Sequence, residues 1–139
     1  MQRYLLWSAL ALAGYSVFTP LAKLATNDAP STVVALVANS ILALSALVVV
    51  LATGEQPTSY LTGDTLRYTL AAGAFLTVGI LAYYRALSLG PASTVVPIFG
   101  MFIVGSSVLS VVFLGDSFSA QKGLGIVLAG VAVYLTVTG

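Results

Sequence analysis

The chain contains no cysteine and no histidine. Their absence excludes a disulfide framework, a thiolate nucleophile and the usual zinc ligand sets. Charge is scarce as well: nine residues in 139, or 6%, against roughly 25% in an ordinary soluble domain. Nine charges cannot cover the surface of a water-soluble fold of this length. The net charge of +1 comes with no basic patch, which excludes a nucleic-acid partner. No nucleotide-binding loop, metal constellation or catalytic triad occurs, so no catalytic residue, metal or cofactor is assigned.

What the sequence does have is apolar length: 59% of its residues are hydrophobic. The charges are Arg3, Lys23, Asp28, Glu55, Asp64, Arg67, Arg85, Asp116 and Lys122, and between them lie uncharged runs such as 29–54 and 86–115. About 20 apolar residues in a helix cross a hydrocarbon core of about 30 Å. Runs such as Ile41 to Ala52 lack the strict alternation of a membrane β-strand. The chain therefore reads as an all-α membrane protein, a single transmembrane domain over 1–139, with helices at about 4–23, 31–52, 68–89, 91–114 and 119–138. The count falls to four only if one of these segments lies in the interface.

Arg3 followed by an apolar stretch with Ala9, Ala11 and Ala13 has the outline of a cleaved leader. A cut near Ala13 leaves too short an apolar core for that role, so the segment is taken as a span. Pro20 is expected to kink or close the first helix. Asn27-Asp28-Ala29-Pro30 forms the next turn, and residues 53–67 form the longest polar connection. Gly90-Pro91 stops one helix and starts another, and Pro97 interrupts the fourth helix in its second turn. Gly115-Asp116-Ser117 leads into the fifth.

In lipid, close backbone approach depends on small residues. Gly123 and Gly130 share a face of the fifth helix, Gly125 and Ala129 make a small-xxx-small pair, and Ser106 and Ser110 repeat that spacing on the fourth. These five positions, Gly123, Gly125, Gly130, Ser106 and Ser110, are read as helix-packing positions. Five spans place Arg3, Arg67 and Lys122 on one membrane face and Lys23 and Arg85 on the other, a weak positive-inside bias compatible with insertion both ways.

Candidate binding residues come from polar groups within the spans. Ser8, Tyr15, Thr19 and Lys23 fall within about 80° of one another on the first helix, a stripe that belongs against a cavity or another helix because unpaired polar groups in hydrocarbon are costly. Lys23 would hold an anionic group at a cavity mouth, or snorkel to the interface. Asn39 is the most polar residue deep in any span and serves either an interhelical hydrogen bond or a cavity wall. Gly73, Thr77 and Tyr84 share a face of the third helix, and Tyr83-Tyr84-Arg85 also has the form of an aromatic belt with an anchor. The candidate substrate-binding set is thus Tyr15, Thr19, Lys23, Asn39, Thr77 and Tyr84. All four carboxylates fall in turns or at helix ends, so the spans lack the acidic or histidine relay of proton-coupled carriers.

Leu81-Ala82-Tyr83-Tyr84-Arg85-Ala86-Leu87-Ser88-Leu89-Gly90-Pro91-Ala92-Ser93 has an aromatic pair, Ala-Leu, then Gly and a small-residue helix start. Val111-Val112-Phe113-Leu114-Gly115-Asp116 gives an apolar run and a Gly-acid pair, with Gly123 and Gly130 beyond it. In this order, across nearly the whole chain, the pattern resembles the EamA domain of the drug/metabolite transporter superfamily. Most such proteins resemble two fused, inverted repeats, and this chain corresponds to one. The resemblance implies a small-metabolite transporter in the cell membrane, working by alternating access as a homodimer, with antiparallel subunits an option that fits the weak charge bias. Asp116 stands where the family usually has glutamate. The second helix offers only Asn39 where many members carry a basic residue, and no glutamate between Tyr4 and Lys23 matches that of the small multidrug-resistance branch. A non-transporting membrane partner and a subunit of a lipid-carrier flippase are the alternative functions.

Overall fold

The structure, a computed structural model, describes residues 3–139. Among these, five helical segments are long and apolar enough to cross a membrane: Arg3–Asp28, Ser31–Thr53, Gly63–Leu89, Ala92–Leu114 and Ala120–Thr138. The molecule is an all-helical multi-pass membrane protein. It divides into two compact units, the first ending at Leu89 and the second running from Gly90 to Gly139.

The first unit holds α1 (Arg3–Asp28), α2 (Ser31–Thr53), the single turn α3 (Pro57–Tyr60) and α4 (Gly63–Leu89). α1 passes through Pro20 and continues five residues beyond the expected Lys23. Proline removes one ladder bond, but neighbouring helices in a membrane protein can hold the chain helical around it. Here Thr19, Ala22 and Thr26, on either side of Pro20, are all buried, and packing against α4 keeps the last turns wound. Pro30 then turns the chain directly into α2, its carbonyl accepting from the Val33 and Val34 amides at 2.9 and 3.1 Å. So short a link makes α1 and α2 antiparallel neighbours. α2 ends at Gly54, whose φ of +70° is the left-handed cap conformation and whose N–H reaches the Val50 carbonyl.

α4 starts five residues earlier than the apolar pattern indicates. Asp64 occupies its first turn, where a carboxylate favours the positive end of the helix dipole, and pairs with Arg67 at 3.1 Å. The core of the unit gathers at one end of the helices. Ala22, Ala35, Tyr83, Tyr84 and Leu87 are buried there with Thr19, Thr26 and Ser31. Towards the other end the side chains are exposed, as with Trp7, Leu47 and Phe75, and that surface suits lipid.

The second unit holds α5 (Ala92–Gly100), α6 (Phe102–Leu114) and α7 (Ala120–Thr138). α5 and α6 are one apolar span broken at Met101, four residues beyond Pro97. There the ladder tightens: the Met101 amide bonds Ile98 rather than the residue four back, and the Val104 and Gly105 amides return to the Met101 carbonyl. The break thus falls after Gly100, a poor helix former, rather than at the proline itself. α6 closes on Gly115 at φ +70°. Ser119 caps α7 by accepting from the Lys122 amide at 3.2 Å. α5 packs on α7.

Candidate functional site

Within the first unit, α1 and α4 are joined by two rungs. The Thr19 and Tyr83 hydroxyls share a buried hydrogen bond of 3.0 Å. One turn on, the Lys23 ammonium donates to the Leu87 carbonyl at 2.7 Å. Both pairs are separated by 64 positions, so the two helices run parallel and in step. The rungs form because residues four apart lie on one helix face, and the Thr19/Lys23 and Tyr83/Leu87 spacings match. Leu87 lies in the last turn of α4, where carbonyls have no helical partner and carry the negative end of the dipole, so Lys23 serves as a cap for a neighbouring helix.

Directly beside this fastened end lies a cavity of about 350 Å³. α1 contributes Ala11, Gly14, Tyr15 and Phe18; α2 contributes Ala38, Asn39 and Leu42; α4 contributes Ile80 and Tyr84. Small side chains make the room: a Cβ placed on Gly14 would meet no atom within 4 Å. Aromatic rings make the walls. Phe18 stands edge-on to both Tyr15 and Tyr84, with centroids 5.8 and 5.9 Å apart. Asn39, half-buried, donates one amide N–H to the Ala35 carbonyl at 2.8 Å. Among the described residues, none that is charged lines this space.

The cavity brings Tyr15, Asn39 and Tyr84 together. Thr19 and Lys23 belong to the rungs next to it. Thr77 is exposed, with its hydroxyl on the Gly73 carbonyl of its own helix, and is not in the lining. Phe18 and Tyr83 were not singled out as site residues from the sequence. The available signals were the Tyr15–Phe18 spacing, which puts both rings on one face, and the adjacency of Tyr83 and Tyr84. Neighbours on a helix point about 100° apart, so one tyrosine fastens α1 while the other walls the cavity.

The second unit contains a groove of about 550 Å³, lined by residues of α6 and α7 that include Ser106, Ser110 and Gly125, with Asp116 and Lys122 among the lining. Lys122 donates to the Ser117 carbonyl at 2.6 Å. Gly123 lies against Phe118, whose ring would stand 3.1 Å from an added Cβ, and a Cβ added at Gly130 would stand 3.9 Å from the Met101 methyl.

The profile of the family described as EamA-like transporters matches residues 2–138. A protein from a Sinorhizobium species, named as an uncharacterized transporter in the cobO 3' region, is 29% identical over 126 residues, covering 90% of this chain and 89% of that relative. No solved structure matches the chain.

Proposed function

The chain belongs to the EamA-like transporter family, and from that premise we propose that it carries small metabolites across the cell membrane by alternating access, as a dimer of five-helix subunits. The observation that carries the proposal is the cavity of the first unit, where Tyr15, Asn39 and Tyr84 converge from three different helices. Binding pockets are typically concave, mostly apolar and equipped with a few convergent polar groups. The placement beside the rungs supports alternating access, because α1 and α4 are fastened on one side of the cavity while their residues on its other side are exposed.

Coupling in this reading does not pass through a proton relay inside the spans. Asp28 ends α1, Glu55 lies between α2 and α3, Asp64 opens α4, and Asp116 follows α6. The small difference in positive charge between the two membrane faces supports a dimer of oppositely inserted copies.

The test is flux in proteoliposomes. Purified protein is expected to accelerate exchange of at least one labelled metabolite from a panel of amino acids, sugars, bases and organic acids. Gly14→Phe, which fills the cavity without meeting another atom at its Cβ, should abolish that flux while the protein still folds. Absence of flux for every solute, or full flux with the cavity filled, would reject the proposal.

A further inference from the structure

The chemistry of the same cavity narrows its ligand. We propose that it takes a compact, planar, uncharged solute bearing an adjacent hydrogen-bond donor and acceptor, as in a primary carboxamide; this rests on the cavity being the substrate site.

The first argument is a polar group waiting for a partner. Tyr84 is 1% exposed, yet its hydroxyl makes no hydrogen bond to any described residue. Every fully buried side-chain nitrogen or oxygen among the described residues has a partner. The Tyr84 hydroxyl is therefore not fully sealed off, and Tyr84 belongs to the cavity lining. A hydroxyl on an otherwise buried ring that lines a pocket is satisfied by whatever enters. Asn39 supplies the complement. One of its N–H groups goes to Ala35, which leaves the other N–H and the amide oxygen for a ligand. A hydroxyl and an amide together match a group that both donates and accepts.

The second argument is charge. An ion moved into a low-dielectric site without a counter-charge meets a desolvation cost that hydrogen bonds alone do not offset. The described residues of the lining include no charged one. Lys23, the charge nearest in sequence on α1, is already bonded to the Leu87 carbonyl. Neither an anion nor a cation finds its opposite here. The third argument is shape: Tyr15, Phe18 and Tyr84 wall a space near the small end of ligand pockets, which suits one flat ring rather than a chain or a sugar polymer.

The test uses three probes that share a benzene ring and differ in charge. The full chain in nanodiscs is dialysed to equilibrium against labelled benzamide, with benzoate and benzylammonium as anionic and cationic competitors. Benzamide should bind saturably, and both ions should compete at least tenfold more weakly. Tyr84→Phe and Asn39→Leu should each weaken benzamide by about three- to tenfold, the worth of one hydrogen bond, with thermal unfolding retained. Thr69→Val, an exposed hydroxyl bonded within its own helix, should change nothing. Equal or tighter binding of either ion, no saturable benzamide binding, or binding indifferent to both cavity variants would overturn the proposal. Saturable binding without flux in proteoliposomes would keep the ligand class and reject the transport reading. Flux of an ionic solute that depends on Tyr84 would do the reverse.

Discussion

Replacing Lys23 tests the fastened end of the first unit most directly. The ammonium donates at 2.7 Å to a carbonyl in the last turn of α4, a group with no intrahelical partner. A hydrogen bond from a charged donor contributes about 1.5–3 kcal/mol. Lys23 is half-buried at the end of a span, and water at the interface can take over part of the carbonyl's need. The expected loss for Lys23→Met is therefore about 1–2 kcal/mol, with the apolar stem retained so that packing is little changed. Lys23→Arg keeps charge and donor and should lose less than half as much. The assay is reversible unfolding in mixed micelles, followed by helicity and by the fluorescence of Trp7, the chain's one tryptophan. A Lys23→Met protein within 0.5 kcal/mol of the parent would refute the capping argument. It would return the lysine to the role of a surface anchor or of an anion ligand, and loss of flux without loss of stability would favour the latter.

The Thr19–Tyr83 rung is open to a double-mutant cycle with Thr19→Val and Tyr83→Phe, which should show a coupling of about 0.5–1.5 kcal/mol in the same unfolding assay; additive effects would deny the bond. Gly54→Ala places a Cβ at φ +70° and should cost about 1–2 kcal/mol, whereas alanine at Gly73, which is helical and has open space at its Cβ, should not destabilise. The dimer of oppositely inserted copies predicts that Gly139→Cys, the chain's only thiol, is labelled from outside intact cells in about half the molecules; labelling of all or none would fix a single orientation.

The helices were legible because apolar runs bounded by charges and turn residues leave few other ways to satisfy a backbone in lipid. Their ends were less so. Pro20 marks a helix end by local rules, yet α1 continues to Asp28 because α4 packs against it beyond the proline, and that partner lies more than 60 residues away in sequence. Asp64 and Arg67 read as loop charges but sit in the first turns of α4, where the dipole favours the aspartate. Pro97 pointed to a break in the fourth span, while the break itself falls at Met101. The site divides in the same way. Tyr15, Asn39 and Tyr84 were visible as polar groups in apolar runs and do share a cavity. The destination of Lys23 was not, because its partner is a backbone carbonyl and no residue type announces a carbonyl.

The two rungs bear on how such a carrier would move. A cavity that exchanges solute with both sides of a membrane must at some stage open where α1 and α4 are joined. Neither rung is an ion pair: one is a hydroxyl–hydroxyl bond and the other a lysine on a carbonyl. Together they contribute about 1.5–3.5 kcal/mol, which leaves the separated arrangement as a minor state of roughly 0.3–7%. A much stronger fastening would hold the cavity shut on that side, and none at all would leave it open to both. Because Tyr83 and Tyr84 are consecutive, the backbone that releases Thr19 also carries the cavity wall. A ligand that bonds the Tyr84 hydroxyl can therefore bias the rung beside it, provided its affinity differs between the joined and separated arrangements.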